Sequence, residues 1–316
     1  MKNILYVSPY AHIGGGELSL LSILRNLNPK VFRVEVVCYE EGPFTERIKG
    51  MGINCSVFKR SSFFSNFSII GGIYRLIRAR KINMVCVNSL DIRAGLAASL
   101  AGAPFVGHLR IIFPFAWPDF LFVWLSSRIM AVSNAVVDGF CENYPRLRSK
   151  FVVLPNAVEI LSDIKPASLR EEFGLSGNAW LVGVAGRIDP YKGHRVFIDA
   201  ARVIKMKIPR AAFFIIGEAS DDKEGRRYLS GLKERIDKAG LTGSFIFSGF
   251  RQDIMNVISA LDTVVIPSLE QKKKKGVIKE GFGRVVIEAA VCGRPAVASK
   301  VGGLEEIIED GVTGLL

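Results

Sequence analysis

The residues whose types and spacing carry chemistry in this sequence fall at three places. The first is Gly186-Arg187-Ile188-Asp189-Pro190-Tyr191-Lys192-Gly193, a guanidinium and an ammonium five residues apart in a loop after a short apolar run. Two fixed cations there hold a diphosphate and stabilise the negative charge that grows on it as it leaves. The second is Glu280-Gly281-Phe282-Gly283-Arg284-Val285-Val286-Ile287-Glu288, two carboxylates across a glycine-containing turn. A carboxylate accepts two hydrogen bonds from a vicinal diol, the chemistry of a ribose or a sugar ring. Eight helical steps would turn the two carboxylates toward different faces, so Glu280 belongs in the loop and Glu288 in the opening turns of the helix that follows. The third is Gly14-Gly15-Gly16-Glu17, between the first apolar run and a helical period, where backbone N–H groups approach an anion at a positively polarised helix start. No glycine stands three residues after Gly16, so this is not the dinucleotide fingerprint in full. Each has a plainer reading when taken singly: a tight turn, two solvated charges, carboxylates favoured by a helix N-terminus; and His108 by itself reads as a satisfied histidine at a strand end.

The elements that must position these residues are legible as short Val- and Ile-rich runs alternating with helix-like segments. Strands are expected at Asn3–Ser8, Arg33–Tyr39, Cys55–Lys59, Met84–Asn88, Phe105–Leu109, Arg128–Ser133 and Lys150–Leu154. They resume at Trp180–Ala185, Ala212–Gly217, Phe245–Gly249, Thr263–Pro267 and Ala296–Ser299. Continuous apolar strands, rather than alternating ones, are what a parallel sheet covered on both faces requires. The fold class is therefore α/β, and a polar interval near Asn156–Leu175 divides it into two doubly wound Rossmann-like domains, 1–163 and 164–316. In such sheets ligands bind outside the carboxyl ends of the strands, which is where the loop of Arg187 and Lys192 lies.

Composition narrows the classes. With 316 residues and 49% hydrophobic residues the chain can bury a sizeable core in each half, and disorder, collagen and a small disulfide scaffold are excluded. The five cysteines are scattered and the three histidines form no ligand cluster, so neither a zinc site nor a disulfide framework is indicated. Mean hydropathy is high at +0.28, yet the longest uncharged run, Ala94–Leu109, contains Pro104 and three glycines and falls short of the roughly 20 residues a bilayer span needs. The four-residue apolar run at the N-terminus is too short for a signal-peptide core, and a reducing cytoplasm is the expected setting. Net charge is +12, with a basic excess in both halves that suits a phosphate-bearing ligand. No nucleic-acid motif accompanies it, and no nucleic-acid partner is expected. Residues 47–90 hold eight basic residues and no acidic one, interleaved with Phe58, Phe63, Phe64, Phe67, Ile69, Ile70 and Tyr74. Such a stretch reads as a docking face for anionic lipid head groups or an anionic acceptor, and equally as a solvated helix face beside a buried one.

Taken together and in this order, these motifs resemble the retaining glycosyltransferases of the two-Rossmann-domain type (GT-B), specifically family 4 (group 1). The resemblance covers essentially the whole chain, through the Gly14–Glu17 loop, Val106-Gly-His108, Val132-Ser133-Asn-Ala135, Leu154-Pro-Asn156-Ala-Val158, Gly186–Gly193, Pro267-Ser268, Glu280–Glu288 and Gly302-Gly303-Leu-Glu305. It implies two domains facing each other across a cleft, the first binding the acceptor and the second a nucleoside-diphosphate sugar. It implies roles as well. Gly15 and Gly16 would offer amides to the donor diphosphate, gripped by Arg187 and Lys192. Glu280 would bind hydroxyls of the transferred sugar, Glu288 the ribose diol, and the amides of Phe282, Gly283, Arg284 and Val285 the phosphate beside the sugar. His108 matches the family's histidine near the anomeric carbon, and Arg251 is a candidate contact to the nucleobase. The reaction implied is transfer of a sugar to a hydroxyl of a glycan or glycolipid with retained configuration, without metal or other cofactor. Its setting would be lipopolysaccharide, capsule or exopolysaccharide synthesis at the inner face of a membrane reached through residues 47–90.

Two departures from the family pattern accompany the resemblance. Between Ser268 and Glu280 the chain inserts Leu-Glu-Gln-Lys-Lys-Lys-Lys-Gly-Val-Ile-Lys, read as a mobile surface loop that could meet an anionic acceptor. The sequence ends at Leu316, where the family continues through further helices, one packing back on the first domain. A sugar-nucleotide epimerase or a phosphorylase of the same architecture, or a catalytically silent relative that binds a membrane partner, remain alternatives at this level.

Overall fold

A computed structural model describes the chain except residues 60–64, 113–116, 143, 161–162 and 274–275. It divides into two compact units, Met1–Ala157 and Val158–Leu316. In the first, the order is β1 (Lys2–Ser8), α1 (Gly15–Asn26), β2 (Phe32–Cys38), α2 (Pro43–Gly50), β3 (Asn54–Val57), α3 (Ser65–Ala79), β4 (Met84–Val87), α4 (Ile92–Leu100), β5 (Phe105–Leu109), α5 (Trp117–Leu125), β6 (Arg128–Ala131), α6 (Asn134–Cys141) and β7 (Phe151–Val153). The strands form one parallel sheet in the order β3-β2-β1-β4-β5-β6-β7.

The second unit runs α7 (Leu169–Glu172), β8 (Trp180–Ala185), α8 (His194–Lys207), β9 (Ala211–Ile216), α9 (Lys223–Lys238), β10 (Phe245–Gly249), α10 (Ile254–Ala260), β11 (Thr263–Ile266), β12 (Gln271–Lys273), β13 (Gly276–Ile278), α11 (Arg284–Val291) and β14 (Ala296–Ala298). Its parallel sheet has the order β10-β9-β8-β11-β14. In both units strand order reverses beside the first strand, between β1 and β4 and between β8 and β11. There the loops leave on opposite faces and open a crevice at the carboxyl ends.

Every expected strand is present, and the burial pattern explains why the runs were continuous. All six residues of β9 are buried. Successive side chains point to opposite faces. Phe214 and Ile216 pack with Leu261, Val286 and Ala289, whereas Phe213 and Ile215 pack with Phe197, Ile198 and Leu232. Helices enter with side-chain caps where the sequence supplies them: Asp91 accepts from the Ala94 amide at 2.9 Å, Ser133 from Val136 at 3.1 Å and Asp222 from Gly225 at 2.7 Å.

One expectation is corrected. Within the segment read as a loop, β12 and β13 pair antiparallel, Gln271 opposite Ile278 and Lys273 opposite Gly276. Lys274 and Lys275 lie outside the described residues. The feet of this hairpin are tied by Lys279 to Glu270 at 3.1 Å. The equally short β7 and β14 are apolar throughout, whereas β12 reads Gln-Lys-Lys and offers no apolar run to be read from sequence.

A sheet covered on both faces gives a prediction. Phe213→Ala and Phe214→Ala, adjacent in sequence and opposite in direction, each cost about 3–5 kcal/mol in urea unfolding. A near-neutral result for either one means that its face of the sheet is open.

Candidate active site

β8 ends at Ala185, and the chain passes through Gly186 and Arg187 into a single 3-10 turn, Pro190–Lys192, capped by Asp189, whose side chain accepts from the Tyr191 amide at 3.3 Å. Gly193 then adopts φ +72°, and a side-chain carbon built there would lie 1.6 Å from the Pro267 carbonyl oxygen. Glycine is thus required for the β8–α8 loop to lie against the end of β11. A backbone bond from the Leu269 amide to the Tyr191 carbonyl at 2.7 Å holds the two loops together.

That contact brings together residues 88 apart in sequence. Lys192 Nζ donates to Glu280 Oε2 at 2.7 Å, and Ser268 Oγ donates to the same oxygen at 2.9 Å. Burial pushes the Glu280 carboxyl up. The Lys192 ammonium, the Ser268 hydroxyl and the Gly283 amide more than reverse this, and the group titrates below its ordinary range. Burial likewise pulls Lys192 down and Glu280 lifts it, with a net rise. The pair is therefore fully ionised at neutral pH, in the crevice between β8 and β11. Arg187 stands in the same loop, with its side chain 60% exposed and Asp189 at 3.8 Å.

Glu280 precedes α11, and Glu288 lies within it. Burial raises the Glu288 carboxyl, against the pull of Arg284. Arg284 Nε donates to Glu288 Oε1 at 2.6 Å, one helical turn away. Gly283, at φ +90°, starts α11, and its amide is among the donors to Glu280. Phe282 is buried and Val285 partly so. Arg251 is spent on two carboxylates, donating to Glu172 at 2.6 Å and to Asp253 at 2.8 and 2.9 Å.

In the first unit, Gly14 precedes α1 and its amide donates to Glu17 Oε2 at 3.1 Å, so Glu17 caps its own helix. Gly15 is exposed, and Gly16 faces Arg110 and Asn88. His108 is the penultimate residue of β5, 4% exposed, with its pKa lowered to about 3 by burial and then by Arg110. Sequence reasoning missed Arg110, which donates to Asn88 at 3.0 Å and Ser19 at 2.7 Å, bonds Asn156, and meets His108 Nδ1 at 3.0 Å. The available signal was its spacing of two from His108 at a strand end. Of the basic aromatic stretch, Arg60, Phe63 and Phe64 lie outside the described residues. In α3, Ile69 is buried while Phe67 is 73% exposed. Among the described residues no group of acidic, histidine or cysteine side chains is arranged to hold a metal, and no helix is long and apolar enough to cross a membrane.

Residues 13–160 match the model of Glycosyltransferase Family 4, and residues 167–316 match that of Glycosyl transferases group 1. The chain belongs to this glycosyltransferase family. A curated relative, the UDP-Gal:alpha-D-GlcNAc-diphosphoundecaprenol alpha-1,3-galactosyltransferase of Escherichia coli, is 25% identical over 314 residues, covering 90% of this chain and 76% of the relative. A second, the D-inositol 3-phosphate glycosyltransferase of Segniliparus rotundus, is 30% identical over 194 residues, covering 60% of this chain and 41% of the relative. Among solved structures, that of Anabaena HepE in complex with UDP and glucose superposes with a TM-score of 0.85 at 26% identity, over 100% of this chain and 85% of HepE. The two units are thus the Rossmann-like domains of the GT-B architecture.

In this glycosyltransferase the ionised pair fixes the sign of a pH dependence. In the wild type the depressed Glu280 contributes stability that is present above the ordinary carboxylate pKa and lost as pH falls through its folded value. In Lys192→Met, burial without the counter-charge raises that carboxyl above its unfolded value, so its contribution is intact in acid and lost as pH rises. Urea midpoints measured from about pH 4 to 7 should therefore fall with pH relative to wild type. A parallel shift at every pH contradicts the coupling.

Proposed function

We propose that this protein transfers a sugar from a UDP-sugar to a hydroxyl of a lipid-linked glycan, with retention of anomeric configuration and without a metal. The observation that carries the proposal is the ionised Lys192–Glu280 pair in the crevice at the carboxyl ends of β8 and β11. Such a pair offers a cation to a phosphate and a carboxylate to a diol within one hydrogen-bonded cluster. HepE was solved with UDP and with UDP-glucose, and the name of the E. coli relative specifies UDP-Gal and a diphosphoundecaprenol acceptor, which supports the choice of donor and acceptor class.

Lys192 and the more exposed Arg187 grip the diphosphate, and the amides of Phe282, Arg284 and Val285 beside the start of α11 receive the phosphate next to the sugar, the Gly283 amide being engaged by Glu280. Glu280 accepts hydrogen bonds from sugar hydroxyls and Glu288 from the ribose diol, while Gly15 and Gly16 offer amides to the diphosphate. His108 faces a substrate oxygen. The bond from the anomeric carbon to the phosphate oxygen breaks, its electron pair leaving with the nucleotide. The acceptor oxygen bonds to that carbon on the same face, and its proton passes to the departing phosphate. Arg187 and Lys192 stabilise the charge as it develops. With its side chain engaged by Glu172 and Asp253, Arg251 would touch the base through its backbone.

The first unit supplies the acceptor's approach. An open depression of about 520 Å³ is lined by Phe67, Ile70 and Leu96 with Arg93 and Asp119 at its edge. Near it Phe67, Leu100, Phe120 and Trp124 expose large apolar surface on α3, α4 and α5. Exposed apolar side chains in a unit whose α3 also exposes Arg75 and Arg78 suit a peripheral contact with anionic lipid at the inner membrane face, in cell-surface polysaccharide synthesis.

Titration calorimetry with UDP, GDP and ADP tests the donor. UDP should bind the wild type, and Glu280→Ala should lose transfer from labelled UDP-sugars to a lipid extract by roughly 10²-fold or more with its circular dichroism intact. Unchanged transfer in that variant removes Glu280 from the mechanism, and a product formed without acceptor would mark an epimerase.

A further inference from the structure

The polar cluster around Arg110 serves no purpose that the donor chemistry above requires. Its guanidinium, just past β5, ties together four separate segments: Ser19 in α1, Asn88 after β4, His108 at the end of β5 and Asn156 after β7. Ser19 also donates to Asn156 at 2.9 Å, so the cluster is bonded internally.

The contact at His108 decides where that ring carries its proton. Arg110 Nη2 lies 3.0 Å from His108 Nδ1. A guanidinium has donors and no acceptor, so Nδ1 must present its lone pair. An imidazolium would set two donors and two positive charges against each other at that distance. The single proton of the neutral ring is therefore on Nε2, and this buried N–H has no hydrogen-bond partner among the described residues. A buried donor left unpaired costs about 1–3 kcal/mol, which a ligand oxygen would relieve.

We propose that Arg110 is a positioning residue that locks His108 as the neutral Nε2–H tautomer, making it a hydrogen-bond donor to a substrate oxygen and removing it as a general base. The substrate role rests on the functional reading above; the tautomer rests on geometry alone. Burial and the adjacent guanidinium both keep the ring uncharged. The other titratable groups near the cluster are Tyr6 on β1 and Cys86 on β4, both held protonated by burial, and β6 sets Met130 opposite His108. The proton of the acceptor hydroxyl consequently has to leave by way of the departing phosphate.

Two measurements on the full chain test this. With ¹⁵N- and ¹³C-labelled histidine, the His108 ring, assigned by its loss in His108→Gln, should show Nε2–H and no titration from about pH 5 to 8, and in Arg110→Met it should shift toward mixed tautomers. An Nδ1–H ring in the wild type, or a pattern unchanged in Arg110→Met, overturns the positioning role. In the transfer assay His108→Ala should lose roughly 100-fold in kcat. His108→Gln, which keeps an N–H near the place of Nε2 and cannot take a proton, should recover roughly a tenth or more of wild-type transfer. Arg110→Met added to His108→Ala should cost little further. A Gln variant as slow as the Ala variant overturns the donor role. Full activity of His108→Ala overturns instead the reading that this histidine meets substrate, and the ring spectra keep the two failures apart.

Discussion

The second domain is organised around an ion pair that is expensive to bury. Lys192 and Glu280 give up most of their hydration, and their 2.7 Å contact with the help of Ser268 roughly offsets that loss. A well-packed apolar pair would hold β8 and β11 together at least as well. The surrounding backbone nevertheless serves the pair. Gly193 is obliged to be glycine so that the loop can close on Pro267, Leu269 is bonded to Tyr191, and the Gly283 amide is turned to the carboxylate. Such spending on charge makes sense where the charges have to meet something from outside, and a phosphate linked to a sugar presents an anion and a set of hydroxyls side by side.

In the first domain a single guanidinium is surrounded by neutral groups. Its crevice holds Arg110 in a net of Ser19, Asn88 and Asn156, and the consequence is an uncharged histidine with one donor unspent. The contrast is physical: the crevice of the second unit carries the ionised Lys192–Glu280 pair, and that of the first an uncharged imidazole that does not titrate near neutral pH.

The α/β architecture was legible in the sequence because both faces of each sheet are covered, which turns a strand such as β9 into an unbroken apolar run. Lys192 and Glu280 were legible as residue types in loops after strands. Their pairing was not, since it depends on β8 and β11 being neighbours, a fact of sheet order rather than of spacing. Arg110 was overlooked because its partners come from segments scattered over more than a hundred residues, and an arginine after a strand reads as a solvated charge. For Arg251 nothing in the sequence shows that Glu172 and Asp253 engage its guanidinium. The hairpin of β12 and β13 escaped because β12 (Gln-Lys-Lys) has no apolar residue and β13 (Gly-Val-Ile) only two, whereas the equally short β7 and β14 are apolar throughout.

The most direct test of the account is to replace the ion pair with apolar residues of similar volume, Lys192→Met with Glu280→Leu, and titrate the double variant with UDP in a calorimeter beside a urea unfolding curve. If the pair exists to meet the nucleotide rather than to hold the fold, stability stays level or rises by about 1–4 kcal/mol while UDP binding disappears. A double variant that binds UDP as tightly as the wild type contradicts that claim.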